Sequence, residues 1–145
     1  MSHFLGIDVG TSGTKALVVD ADGSVVGSGA GQHEPDVPRG GWSEQDVDAW
    51  WPSAKESISS ACRDAGVSPQ GISAIGVTGQ MHGLVALDAT MRPIRPAILW
   101  NDGRSEPQCL EVEERFGIGR LVESTGNRML PGFTAPKLLW MREHE

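Results

Sequence analysis

Residues 8–15 read Asp8-Val9-Gly10-Thr11-Ser12-Gly13-Thr14-Lys15 and lie between two short apolar runs. Gly10 and Gly13 permit a tight turn and leave backbone N–H groups uncovered. With the hydroxyls of Thr11 and Ser12, those amides can surround phosphate oxygens. Lys15 can add a positive charge there, although strand alternation can equally turn it outward. Asp8 ends the first run pointing at the same spot. A carboxylate repels phosphate unless a cation lies between them, so the pattern points to Mg²⁺ held mainly through water, with Asp8 as its protein anchor. The lysine position and the strand-turn-strand setting differ from a Walker A loop. A plain hairpin with turn-favouring residues is the alternative. The aspartate just ahead of the loop, between two apolar strands, argues for phosphate.

A second cluster, Gly79-Gln80-Met81-His82-Gly83, follows an apolar run at 72–78. Polar residues bracketed by glycines at the end of a buried strand face a cleft in open α/β sheets. Gln80 and His82 can hydrogen-bond hydroxyls, and Met81 offers an adaptable apolar surface, a combination suited to a sugar or polyol. A histidine satisfied within its own turn is the other reading. A third cluster, Trp100-Asn101-Asp102-Gly103-Arg104, gathers an amide, a carboxylate and a guanidinium in five residues. Asp102 and Arg104 either contact substrate or pair with each other and pin the helix that follows.

The elements that must position these groups are readable from pattern. Residues 4–9, 14–20 and 24–31 read as three strands, with Ala21-Asp22-Gly23 as a hairpin turn. Two prolines and two glycines make 33–41 a surface loop. From Val47 the apolar residues Trp50, Trp51, Ala54, Ile58, Ala61, Cys62 and Ala65 recur at helical spacing and form one face. Asp46 or Asp48 can cap its start and Gly66 can end it, and Pro52 must sit in the opening turn or bend it. Trp42 with Ser43-Glu44-Gln45-Asp46 reads as a cap at the helix start with a packed aromatic. A buried strand at 72–78, strands at 84–88 and 94–100, and helices at 106–116, 119–124 and 134–145 complete the reading. The last helix reaches Glu145 without a stop signal, so the chain looks cut there. The order β-β-β-α-β matches one half of the actin, hexokinase and ribonuclease H class: an α/β domain with a mixed sheet and flanking helices.

Composition narrows the function classes. The 145 residues carry a formal net charge of −7 with 12 scattered Lys and Arg. This argues against nucleic-acid or membrane-surface binding, which need a basic patch. Glycine is abundant at 19 residues, much of it where strands become loops, which suggests backbone approached closely by ligand or by other chain. Cys62 and Cys109 have neither metal spacing nor a CxxC arrangement, and Cys62 falls on the apolar stripe as a buried thiol. A reducing, cytoplasmic setting follows. No segment approaches the roughly 20 apolar residues of a membrane span.

With these segments in view, the chain resembles the FGGY carbohydrate kinases, and among them the xylulokinases. The residues that carry the resemblance are residues 6–15, Trp42-Ser43-Glu44-Gln45-Asp46 with Trp50-Trp51, Gly79-Gln80-Met81-His82-Gly83, residues 96–104, and Gly126-Asn127 through Pro131-Gly132-Phe133-Thr134-Ala135-Pro136-Lys137. They span almost the whole chain in family order. The Gln-Met-His-Gly turn and the segment 131–137 discriminate best, since glycerol kinases carry Arg-Glu where Met81-His82 stands.

The resemblance implies a ribonuclease H-like fold and ATP-dependent, Mg²⁺-assisted phosphorylation of D-xylulose at its 5-hydroxyl. Asp8 would lie near Mg²⁺ and the γ-phosphate as the catalytic residue of this segment. Gly10, Thr11, Ser12 and Gly13 would form the phosphate loop with Lys15. Gln80, Met81 and His82 would take the sugar, with Asp102 and Arg104 as further candidates.

The resemblance also implies a second domain facing a cleft, which would hold the adenosine loops, and a catalytic aspartate base beyond the matched region. A homodimer is possible for a full-length enzyme. On that expectation residues 1–145 are an incomplete N-terminal domain, inactive alone. A kinase for another pentulose or polyol, a sugar-binding module without transfer, and a phosphatase or chaperone ATPase fragment with the same loop are the alternatives.

Overall fold

A computed structural model describes residues 2–145. The chain divides into two compact units, one formed by the residues up to Pro35 with Asp46–Gln80, the other by Asp36–Gln45 with Met81–Glu145.

The first unit is a four-stranded sheet with a helix on one face. Strands β1 (His3–Val9), β2 (Gly13–Val19) and β3 (Val25–Gln32) form the expected antiparallel meander, and β5 (Ile72–Gly79) adds to β1 in parallel, giving the order β3-β2-β1-β5. The sheet is therefore mixed, as the sequence implied. Alternation turns Leu5, Ile7, Ala16 and Val18 onto one face, where they meet Ala61 and Cys62 of α1 (Trp50–Ala65) in the core of this unit. Asp8 and Lys15 consequently face the other side.

Helix α1 packs on β3 backbone to backbone. A Cβ at Gly27 would lie 2.5 Å from the carbonyl oxygen of Ala61, and Cβ atoms at Gly29 and Gly31 would meet the carbonyls of Ser57 and Ser53 more closely still. Residues 27, 29 and 31 of β3 are thus glycine because the helix leaves no room for a side chain there. The buried face of α1 is correspondingly small: Ser53, Ala54, Ser57, Ala61 and Cys62. This revises the expected stripe, because Trp51 lies outside it at 65% exposure.

The start of α1 is otherwise as read. A 3-10 turn over Val47–Ala49 precedes it, with the Asp46 carboxylate accepting from the Asp48 amide at 3.0 Å. Pro52 occupies the opening turn, and Gly66 ends the helix in the left-handed region at φ 64°.

Strand β5 departs from expectation. It was read as buried, but Ile75 and Val77 are 61% and 70% exposed. Among the described residues the strand pairs only with β1, and α1 leans over β3 and β2 rather than over it.

In the second unit, β4 (Glu44–Gln45) pairs antiparallel with β6 (Ala97–Ile98). The strands expected at 84–88 and 94–100 shrink to β6 and to isolated bridges joining Leu84 to Ile98 and Leu87 to Pro93. Pro93 and Pro96 donate no ladder bonds, and the Asp88 carboxylate captures the amides of Thr90 and Arg92 instead. Helices α2 (Glu106–Phe116), α3 (Ile118–Thr125) and α4 (Thr134–His144) fall within a residue or two of their expected bounds. Leu84, Ile98 and Trp140 form the core, with Trp42 and Met141 packed against it. Among the described residues no helix is long and apolar enough to cross a membrane.

Candidate functional site

The β1–β2 turn is a closed loop pinned from two sides. The amide of Gly10 donates to the carbonyl of Gly13 at 2.9 Å, and that of Gln80 donates to Val9 at 2.9 Å. Nε2 of His33, at the end of β3, lies 2.9 Å from the carbonyl oxygen of Gly10. A carbonyl accepts only, so Nε2 carries the proton. Gly13 must be glycine, since a Cβ there would stand 2.5 Å from the carbonyl oxygen of Gly31.

A cavity of 360 Å³ opens beside this turn, lined by Asp8, Gly10, Ser12, Gly13, Thr14 and Lys15 with residues 30–32 of β3. Asp8 and Lys15 are directly opposite each other in the β1–β2 register and both line the cavity. Lys15 therefore lies on the cavity side of β2, on the same face of the sheet as Asp8. Thr11 donates from its hydroxyl to the Gln80 side-chain oxygen at 3.4 Å, a long bond that ties the loop to the end of β5. A larger cavity of 710 Å³ lies on the α1 face, between that helix, β1 and β5, and has no charged lining residue. It does not bear on phosphate.

Among the described residues no three His, Cys, Asp or Glu side chains converge. A cation beside Asp8 would rest on that one carboxylate and complete its shell with phosphate oxygens and water. That fits Mg²⁺, which keeps several waters and takes one or two carboxylates. Cys62 and Cys109 are both buried free thiols, and burial pushes Cys109 up to about 11, so neither suits a nucleophile or metal ligand.

The Gln-Met-His motif is divided between the units: Gln80 closes the first, and Met81 and His82 belong to the second. Met81 is 71% exposed. His82 takes the left-handed conformation at φ 65°, uncommon for a residue with a side chain. Its ring lies against Phe133 with centroids 4.8 Å apart, and its carbonyl accepts from Thr134 Oγ1 at 3.2 Å and from Lys137 Nζ at 3.0 Å. Lys137 also donates to the carbonyl of Gly132. A cavity of 350 Å³ here is lined by His82, Phe133, Thr134 and Ala135 with residues 125 and 127–129. An exposed imidazole, an aromatic wall and hydroxyl and amide groups around it are the groups a polyhydroxyl ligand needs.

Lys137 is wholly buried, and burial lowers its pKa to about 8, with the charge of Asp102 opposing that shift. The sequence reading gave it no role beyond membership of a motif. The legible signal was its spacing: Pro136, Lys137 and Trp140 are the buried residues of α4, so a lysine sits on the stripe that should be apolar. His33 falls in a segment whose prolines and glycines mark a loop, and no sequence signal distinguishes it from other loop histidines.

Asp102 and Arg104 pair with each other. Asp102 is 1% exposed. One of its oxygens accepts from the Arg104 amide and Nε, each at 2.9 Å; the other accepts from the Ser43 amide at 2.6 Å and Arg104 Nη2 at 2.7 Å. Arg104 reaches Glu44 at 2.6 Å through Nη1, and Arg95 bridges Glu44 and Glu145. The Arg104 guanidinium lies 3.6 Å from the Trp42 ring centroid, with Arg39 also against that ring at 4.0 Å. Burial opposes the Arg104 charge, but hydrogen bonds to Asp102 and Glu44 outweigh it and raise the pKa. Ser43, Glu44 and Gln45 thus serve β4 and this network, and only Asp46 of that segment acts as a cap.

The loop 130–133 closes on the same region. A Cβ at Gly132 would lie 2.8 Å from the carbonyl oxygen of Trp100, and Ser105 Oγ donates to the Pro131 carbonyl at 3.3 Å. Three separated sequence motifs, around His82, Asp102 and Lys137, are therefore packed together in one unit.

Comparison with known proteins agrees with this arrangement. The chain is 46% identical over 142 residues to the xylulose kinase of Escherichia coli K12, covering 98% of this chain and 28% of that protein. Among solved structures, a xyloylose kinase from Brucella ovis superposes with a TM-score of 0.90 at 40% identity, covering 98% of this chain and 29% of the other. The xylulose kinase of Rhodospirillum rubrum does so with a TM-score of 0.91 at 28% identity, covering 99% and 29%. The chain thus spans under a third of the length of these relatives. These neighbours are sugar kinases of the actin and hexokinase type of ATPase fold. The model of the FGGY family of carbohydrate kinases, N-terminal domain, matches residues 3–145, and the chain belongs to that family.

Proposed function

We propose that this chain forms the phosphate- and sugar-binding portion of an ATP-dependent xylulose kinase, which yields D-xylulose 5-phosphate. The observation that carries the reading is the turn at 81–82: an exposed methionine and an exposed imidazole, fixed by α4, in a chain similar to proteins named xylulose kinases.

In this reading the 5-hydroxyl oxygen attacks the γ-phosphorus, the bond to the β-phosphate bridging oxygen breaks, and ADP leaves. The hydroxyl proton passes to a base that no residue of this chain is assigned to provide. Amides within residues 11–13 and the hydroxyl of Ser12 bind phosphate oxygens, with Lys15 adding positive charge, while the Gly10 amide and the Thr11 hydroxyl hold the loop closed. Asp8 would hold Mg²⁺, which when bound would supply positive charge against that developing on the phosphate. Met81 and His82 contact the sugar, and Gln80 meets the phosphate loop through Thr11. Asp102 and Arg104 have their polar atoms engaged with each other and with Glu44 and do not line the cavity at His82, so they serve as structural support rather than as sugar contacts. Catalysis here is positioning and electrostatics, which suits a site built from backbone amides and one carboxylate. The protein works in the cytoplasm, where ATP and reduced thiols coexist.

The test is a substrate panel run on the kinase polypeptide that contains this segment, with ATP and Mg²⁺. D-Xylulose should give the highest kcat/KM among xylulose, ribulose, gluconate and glycerol. Preference for another pentulose or polyol would move the substrate assignment, and sugar binding with no transfer would replace the kinase with a binding module.

A further inference from the structure

The buried lysine of α4 has no ordinary structural reason to be there. Lys137 forms no ion pair among the described residues, and its ammonium is satisfied by the carbonyls of His82 and Gly132. Both hydrogen-bond acceptors are neutral, and the charge of Asp102 offsets the cost of burial only in part; an apolar residue on that stripe would fill the core beside Trp140 without the cost. What the lysine supplies is a double tether between the loop at 132 and the turn at 82.

The tether meets a strained residue. A side-chain-bearing residue in the left-handed region is strained and persists only when its surroundings impose it. His82 is such a residue, and two donors from the first turn of α4 converge on its carbonyl, Thr134 Oγ1 at 3.2 Å and Lys137 Nζ at 3.0 Å. The same turn brings Phe133 against its ring.

We infer that Lys137, seconded by Thr134, is a positioning residue for sugar recognition: it fixes the His82 backbone in the left-handed conformation and so aims the imidazole at the ligand. The inference rests on the assignment of His82 to the sugar site. It makes the first turn of α4 a determinant of sugar affinity, although Lys137 itself is wholly buried and touches no ligand. Loss of the tether frees the turn to relax, and the ring then spends only part of its time in the binding orientation. Sugar affinity falls while phosphate binding and the chemical step are spared.

The experiment is steady-state kinetics on the kinase containing this segment, varying D-xylulose and ATP separately. Lys137→Met should raise the KM for D-xylulose about tenfold, with kcat and the KM for ATP within about twofold of wild type. Thr134→Val should raise it about threefold, and Thr134→Ser, which keeps the hydroxyl, should recover the lost affinity. In a His82→Ala background, Lys137→Met should change the sugar KM less than twofold, since the group it positions is gone.

An unchanged sugar KM in Lys137→Met, a proportional loss in kcat and both KM values, or an additive effect in the His82→Ala background overturns the inference. If Lys137→Met does not fold, the contrast between Thr134→Val and Thr134→Ser decides it. A wild-type protein without xylulose phosphorylation overturns this inference and the kinase reading together. A His82→Ala effect on KM without any effect at Lys137 or Thr134 overturns this inference alone.

Discussion

The imidazole of His33 meets the carbonyl of Gly10 through Nε2 at 2.9 Å, so the end of β3 holds the first glycine of the turn between β1 and β2. His33 is buried, and its other ring nitrogen has no partner, so the group is committed to this single bond. His33→Leu removes the donor and frees the loop from one of its two pins. The KM for ATP should rise about fivefold to tenfold, the worth of one hydrogen bond of about 1 kcal/mol. His33→Gln, whose amide can reach the same carbonyl, should recover most of it. Steady-state kinetics with ATP varied check this.

Asp8 is exposed in the cavity opposite Lys15 and has no structural duty in the core. Asp8→Asn should therefore fold normally, bind D-xylulose within about twofold of wild type, and lose about 10²–10³ in kcat, as removal of one key electrostatic group does elsewhere. Circular dichroism, sugar titration and turnover measured on the same preparation separate the three effects.

Glycines at alternate positions of β3 make the sheet-to-helix contact intolerant of any side chain. Gly29→Ala places a Cβ against the Ser57 carbonyl, which is backbone and cannot swing away. The substitution should destabilise by about 3 kcal/mol or unfold the unit outright. Gly76→Ala, where a Cβ meets nothing, is the control and should be near neutral on packing grounds. Urea unfolding midpoints compare the two.

The two cases show what was legible and what was not. The three-stranded meander, the helix ended by Gly66 and the glycine turn between β1 and β2 all follow from local signals, namely alternation, Asp-Gly and the 3.6-residue period. The reason for glycine at 27, 29 and 31 was not local, because it depends on which helix face lies on which strand. The strands expected at 84–88 and 94–100 are cut short for a local reason: Pro93 and Pro96 take donors out of the ladder, and Asp88 offers the backbone a competing partner. His82 was legible as a candidate from its flanking glycines. The groups that hold it were not, since Thr134 and Lys137 lie more than fifty residues away in sequence.

Lys137 makes stability depend on pH in a predictable sense. Its folded pKa is depressed to about 8 from 10.5, so above pH 8 the folded state binds fewer protons at this site than the unfolded chain does. Stability should rise with pH from about 8, and the penalty should be fully present below that value. Cys109, raised from 9.0 to about 11, acts in the opposite sense above pH 9, so the interval from pH 8 to 9 is the one to read. Wild type should gain stability across it, and Lys137→Met should not. Urea midpoints at closely spaced pH values provide the measurement.

The account turns on His82 as the group that recognises sugar. The decisive measurement is the KM for D-xylulose of His82→Ala beside wild type, in the kinase that contains this segment and at saturating ATP and Mg²⁺. The account predicts a rise of about tenfold or more with kcat reduced much less. Wild-type kinetics in His82→Ala, or a loss confined to kcat, would contradict it.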